Sequence, residues 1–361
     1  MHRNFVAGLI ATLACWPMVS SAGANHGSSG QSELLVFASA EALRTTDRAG
    51  PASSIEGLGS LDVLGSWTSG RFRVMGELVL ATDEQDMERL QLGWQLVPET
   101  MVWVGRFHQP GSPWATHQHH GQYLQETISR PAIEDWEDEG GVVPQHVEGL
   151  LVESRMDVGS SSGLTVSAGA GVSAELGSDG LQPFEVFDPR STRRLPAYSV
   201  QIGFLPDYSG ENVFGVVASR TGIPVSDSNA PGVPGRVDLS MLGAFVNLDY
   251  GSWGLVSTLY SITTRLSGGA ADGSDSMLAG YFQLLGRFSP TFSAVARYEG
   301  SYGADESPYL ALFEDFAERR LVLALRWDFA SKQALTAEWA DSHNLHSGYH
   351  QYRVQWSAAL R

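Results

Sequence analysis

Between Arg71 and Ala81 the chain alternates strictly. Phe72, Val74, Gly76, Leu78 and Leu80 fall on one face; Arg71, Arg73, Met75, Glu77, Val79 and Ala81 fall on the other. A strand sends successive side chains to opposite faces, so this segment has one greasy side and one largely polar side. The pattern recurs to the C-terminus in segments about ten residues long, which is how a transmembrane β-barrel reads, with hydrocarbon outside and water inside.

About sixteen strands are expected, near 33–44, 57–68, 71–81, 88–97, 100–107, 146–158, 162–176, 195–205, 212–219, 236–250, 252–265, 276–288, 291–302, 318–329, 333–341 and 349–360. Connections after even-numbered strands are short, such as Pro98-Glu99, Gly251 and Ser289-Pro290. Those after odd-numbered strands are mostly longer, reaching 108–145, 177–194, 220–235 and 303–317. Outer-membrane barrels have short periplasmic turns and long external loops. An even strand count also returns both termini to the periplasm. In 319–329, Leu321, Leu323, Leu325, Trp327 and Phe329 oppose Arg320, Arg326 and Asp328. Trp67, Trp94, Trp103, Tyr208, Tyr250, Trp253, Tyr298 and Trp356 near strand ends are expected to form interfacial girdles.

No run of about 18 apolar residues follows the first 25 positions, so no membrane-spanning helix is expected. The net charge of −17 argues against nucleic acid as a partner. Lys332 is the sole lysine, so fixed positive charge comes from arginine. Cys15 is the sole cysteine, and it lies in the leader. Met1–Asn4 is a short basic start, Phe5–Cys15 is mostly apolar, and Ser20-Ser21-Ala22 offers small residues for cleavage. Residues 1–22 therefore read as a secretory signal peptide, and 23–361 as one outer-membrane barrel of a Gram-negative bacterium.

Residues 108–145 form the longest connection and are not low in complexity. His108-Gln109-Pro110 leads to His117, His119 and His120, then Ser129-Arg130-Pro131, then the acidic run Glu134, Asp135, Glu137, Asp138 and Glu139. Together with the preceding Val104-Gly105-Arg106-Phe107, this stretch resembles the bacterial outer-membrane porins, with a nearest flavour of the phosphate-selective porin O/P-like group. The resemblance implies a third external loop folded into the barrel to narrow it, and a possible homotrimer. The chain departs from the phosphate-selective pattern, having one lysine and an acidic loop.

Three chemistries follow for this loop. In the first, it forms a pore constriction. Arg106, His108, His117, His119, His120, Arg130 and the acidic run would line the loop, opposed by Arg71, Arg73, Arg287, Arg297, Arg326 and Arg353 on the wall, which gives a transverse field. In the second, imidazoles bind metal: His117, His119 and His120, with His108 and His146 nearby. His343, His346 and His350 make a second group. In the third, the barrel holds a hydrolase, but no Ser–His pair has a spacing that commits to nucleophilic catalysis. The expectation is a porin for passive diffusion of small polar solutes or ions, without cofactor or catalysis, embedded in lipid and lipopolysaccharide. The alternatives are a channel selective for a metal ion or an anion, and a barrel enzyme.

Overall fold

The computed structural model describes residues 30–48, 53–82, 85–118, 121–135, 137, 140–177, 180–183, 194–226, 235–268, 273–304, 307–313, 316–344 and 347–360. The leader lies outside them.

The strands are β1 (Gln31–Asp47), β2 (Ser53–Ser69), β3 (Phe72–Ala81), β4 (Gln85–Val97), β5 (Thr100–His108), β6 (His146–Val158), β7 (Ser162–Val172), β8 (Glu175–Gly177), β9 (Gly180–Gln182), β10 (Pro196–Leu205), β11 (Val213–Pro224), β12 (Arg236–Asp249), β13 (Trp253–Ser267), β14 (Gly273–Ser289), β15 (Phe292–Tyr302), β16 (Ala317–Ala330), β17 (Gln333–Asn344) and β18 (Gly348–Ala359). Among the described residues, β1–β7 and β10–β18 close into a sixteen-strand barrel, each strand pairing with its neighbours antiparallel. The first and last strands join along Phe37–Asp47 and Tyr349–Ala359, which removes both sheet edges. Strands β8 and β9 form a separate small hairpin.

The outer surface is apolar. Leu242 and Leu325 are 63% and 64% exposed, and Leu321, Leu323, Trp327, Phe329, Tyr352 and Val354 stand out beside them. Exposed apolar area on this scale is not stable against water and marks a wall that meets hydrocarbon. Trp67, Trp94, Tyr250, Trp253 and Tyr298 lie on this surface as expected. Trp103 does not. It faces inward, is buried, and its indole N–H donates to Glu153 at 2.8 Å. Gly93 stands opposite it, and a Cβ there would lie 2.5 Å from the indole ring. The missing side chain on β4 is what lets the ring fold inward.

Two of the boundaries that move have a visible cause. The seventh strand ends at Val172 rather than 176, because Ser173 turns its hydroxyl onto the His146 carbonyl and the chain leaves the wall for β8. The Gly-Ile-Pro at 222–224 reads as loop but continues β11, paired to β12 as far as Pro224 opposite Arg236. β10 has already ended opposite Thr221, so the ring of Pro224 faces an edge with no ladder to interrupt.

Three glycines meet side by side in the wall. Gly105, Gly149 and Gly171 are neighbours across β5, β6 and β7. A Cβ on any of them would come within 2.0 to 2.2 Å of a backbone oxygen on the next strand. Above this row the wall and the β5–β6 loop are buried together. The main core lies inside the barrel, where Trp114, Ile133, Val142 and Val143 of the loop pack against Leu239, Met241, Tyr260 and Ile262 of β12 and β13.

Candidate functional site

The loop between β5 and β6 crosses the barrel interior. It makes one π-helical turn at Trp114–Gln118 and short 3-10 turns at Gln122–Leu124 and Ala132–Glu134. Its tip meets β15, β16 and β17. β16 is eight strands from β6 in either direction around the ring, so the tip reaches the opposite side.

That far wall holds the tip by its main chain. Arg326 donates to the carbonyls of Tyr123 at 2.8 Å and Gln125 at 2.6 Å, with its guanidinium 4.9 Å from the centre of the Tyr123 ring. Glu338 accepts the N–H groups of Ile128 at 2.7 Å and Ser129 at 3.2 Å. Arg297 donates to Thr127 Oγ1 at 2.6 Å, to the Ser129 carbonyl at 2.9 Å and to the Arg130 carbonyl at 3.1 Å. Glu299 accepts from Arg297 at 2.7 Å, from Arg320 at 2.8 Å and from the Ala132 N–H at 2.7 Å. Arg320 also donates to the Arg130 carbonyl. Charge-assisted bonds of this kind are short and strong, and the planar guanidinium serves several acceptors at once.

The middle of the loop rests on β13 and on the chain after β15. Tyr260 donates to Glu134 Oε1 at 3.0 Å, and Tyr309 donates to the Val142 carbonyl at 2.6 Å. Burial pushes the Glu134 carboxyl up to about 7, against the pull of hydrogen bonds from Ser112, Tyr260 and Thr258.

The root of the loop is a buried polar cluster. His108 and His146 are register partners at the end of β5 and the start of β6, with ring centres 5.1 Å apart. Glu88 Oε2 lies 2.7 Å from His146 Nε2 and 3.4 Å from His108 Nε2. Glu137 Oε1 lies 3.2 Å from His146 Nδ1, and the same carboxylate accepts the N–H groups of Gln145 at 2.7 Å and His146 at 2.9 Å. Burial pushes the Glu137 carboxyl up, but the adjacent His146 imidazole and those N–H bonds outweigh it and hold Glu137 below the usual carboxylate range. Arg106 pairs with Asp86 at 2.7 Å and lies 3.8 Å from Glu148. Glu88 reaches this cluster through a bulge. Arg89 pairs with Glu77 and Asp86 with Val79, so two residues of β4 oppose one of β3 and the alternation breaks at Glu88.

The residues singled out from sequence therefore separate. Arg297, Glu134 and Glu137 are almost wholly buried and Arg106 is buried in its ion pair, so none of the four stands open to an aqueous passage. Arg297 is sealed by the loop tip, while Glu134 and Glu137 lie on the loop itself and turn toward Tyr260 and His146. Arg71 lies in the exposed β2–β3 turn rather than on the wall. Arg73 bonds Thr68, and Arg353 bonds Glu41 at 3.0 Å. Arg130 and Asp135 are half-buried in the loop. His119, His120, Asp138 and Glu139 lie outside the described residues, as does the side chain of His117. In the second histidine group, His350 sits 3.1 Å from Asp341, and His346 lies outside the described residues. Glu88, Glu299, Arg320 and Glu338 were not singled out. A signal for three of them existed: Glu299 faces Arg320, and Glu338 faces Arg353, as opposite charges across neighbouring strands.

At the short-turn end, below the loop, lies a cavity of about 270 Å³. Glu126, Arg287, Arg326 and Asp328 line it, with Tyr123 and Phe292. Arg287 pairs with Asp249 at 2.8 Å and lies 3.7 Å from Glu126.

No protein-family model matches this chain, and no curated protein does. Solved structures do. The outer membrane channel DcaP of Acinetobacter baumannii aligns at a TM-score of 0.60 and 11% identity, covering 94% of this chain and 99% of that one. OmpT of Vibrio cholerae, an outer membrane protein solved in a trimer form, gives 0.57 at 10% identity over 92% and 99%. OmpF of Salmonella typhi, in complex with daunomycin, gives 0.56 at 11% identity over 91% and 97%. The architecture of this chain is thus shared, nearly end to end, with barrels of the bacterial outer membrane.

Proposed function

We propose that this chain is an outer-membrane porin of a Gram-negative bacterium, exported by a signal peptide cleaved after residue 22. It would sit in lipid and lipopolysaccharide as a homotrimer and pass small polar solutes or ions down their gradients. One observation carries this reading. A barrel with an exposed apolar belt contains a long loop, and the far wall clamps that loop across the interior by its backbone. A barrel filled for stability alone needs only packing. A loop held at fixed depth by charged donors and acceptors sets the width of a passage.

Selectivity is then assigned to the charges that keep contact with solvent. Glu126, Arg287, Asp249 and Asp328 do so at the short-turn end, and Asp135 does so within the loop. Asp138 and Glu139 join them by sequence. Glu134 and Glu137 act by holding the loop. Phosphate selectivity gains no support from the wall: Arg297 and Arg326 are engaged by carboxylates and loop carbonyls, and Arg353 by Glu41 and Gln351.

Refolded mature protein in a planar bilayer should give stable conductance steps in potassium chloride. Neutralising Asp135, Asp138 and Glu139 together should shift the reversal potential in a salt gradient, whereas Glu134→Gln should not. A folded barrel that conducts nothing would remove the porin reading.

A further inference from the structure

We propose that Glu88, His108 and His146 form a binding site for a divalent transition-metal ion of the zinc class, with Glu137 fixing the His146 ring. This is a resident ion at the root of the loop, not cargo, and it does not depend on whether the barrel conducts.

The donor set comes from three adjacent strands. His108 ends β5, His146 opens β6 directly opposite it, and the β4 bulge brings Glu88 between them. One ligand atom from each lies within 4.8 Å of the other two. With metal–ligand bonds of about 2.0–2.1 Å, tetrahedral ligands stand about 3.3 Å apart. The His108–Glu88 separation of 3.4 Å already matches that edge. The His146–Glu88 separation of 2.7 Å would open by about half an ångström to admit an ion at such bond lengths.

The chemistry of the donors selects the metal. Two imidazoles and one carboxylate suit zinc and its neighbours, not the hard oxygen-seeking calcium or magnesium. Three protein ligands leave a fourth position for water, as in open zinc sites. His146 offers Nε2 toward Glu88 and turns Nδ1 toward Glu137. Two backbone N–H groups hold that carboxylate in turn. Ligating histidines generally have such a carboxylate on the second nitrogen, which fixes the tautomer and raises ligand basicity.

Charge points the same way. Five carboxylates, on Glu77, Glu88, Glu137, Asp86 and Glu148, surround this buried region against the two guanidinium groups of Arg89 and Arg106. A dication would offset that excess where protons must otherwise do so. The competing description is an ion pair only, with His146 as an imidazolium between Glu88 and Glu137.

The test uses the refolded mature chain in detergent, stripped with chelator and dialysed against zinc chloride. Metal content and calorimetric titration should give one tight equivalent per chain. Glu88→Gln and His108→Gln should abolish that equivalent, and Glu137→Gln should weaken it by about 10–100-fold. A combined His117→Ala, His119→Ala and His120→Ala variant should keep it, as should His343→Ala with His350→Ala. Cobalt substitution of the unaltered chain reports the site spectroscopically even if a variant fails to fold, and an intense visible band is expected for four-coordinate nitrogen and oxygen ligation. Absence of stoichiometric zinc, an octahedral cobalt spectrum, or loss of binding in the loop-histidine variant would each overturn the proposal.

Discussion

The wall grips its loop at two ends, and the grips differ in kind. At the tip, Arg297, Arg320 and Arg326 hold carbonyls while Glu299 and Glu338 hold N–H groups. At the root, His108 and His146 stand among carboxylates. Arginine keeps its charge at every relevant pH, so the tip is a fixed clamp. Imidazole changes charge near neutrality and accepts metals, so the root can respond to its surroundings. The tip is held mainly by its backbone, with Thr127 Oγ1, Ser129 Oγ and the Tyr123 ring as its side-chain partners. The root binds through side chains and depends on each one.

The largest effect that would break this contrast is at Arg297. Its guanidinium is wholly buried and satisfies Glu299 and four loop acceptors. Arg297→Ala should cost about 3–5 kcal/mol, the usual loss when one member of a buried pair is removed. Thermal unfolding should fall accordingly, and conductance should become larger and noisier as the tip releases. An unchanged conductance would mean that the loop does not set the width of the passage.

Next is the pH response of the loop centre. Glu134 holds its proton up to about 7 in the folded chain, against an ordinary value of 4.5. The folded state therefore binds more protons between those limits, and the stability contributed here falls as pH rises through that window. The span corresponds to about 3 kcal/mol. Glu134→Gln should remove this component, so the difference in melting temperature between the two proteins should grow from pH 4.5 to 7 in favour of the variant. Parallel curves would place no ionisation cost at Glu134.

A smaller loss tests the carboxylate side of the clamp. Glu338→Gln keeps an acceptor for Ile128 and Ser129 but removes its charge, which should cost about 1–2 kcal/mol. Hydrogen exchange at those two amides should rise while amides in β17 stay protected. The smallest change is Tyr309→Phe. It deletes the bond to the Val142 carbonyl and should cost about 1 kcal/mol in chemical unfolding, with the conductance steps intact. A loss of those steps would make the middle of the loop as important as its tip.

Much of the frame was legible from alternation alone. A period of two, repeated in ten-residue segments between alternating short and long connections, leaves a closed antiparallel wall as the arrangement that buries no unsatisfied strand edge. Strands such as 146–158 kept the boundaries read from sequence. The longest connection was recognisable by its length, and its folding inward was expected only through the resemblance to porins. The candidate site was less legible. Arg297 and Arg326 were correctly read as inward-facing, but burial beneath the loop is a property of where the loop comes to rest. Glu88 was invisible because a one-residue bulge changes which way it points, and alternation carries no mark of a bulge.

The sequence by itself determined a barrel, the faces of its strands and the place of its longest loop, because these follow from local periodicity and connection length. Only the tertiary structure decided which charges grip and which remain in water. It brought Glu88 from β4 to His108 and His146, and it carried Ser129 across the barrel to Arg297 and Glu338. Those meetings depend on strand register, on a one-residue bulge and on chain segments far apart in sequence. No local pattern encodes them, and the electrostatics of a buried group follow from the neighbours it finally meets.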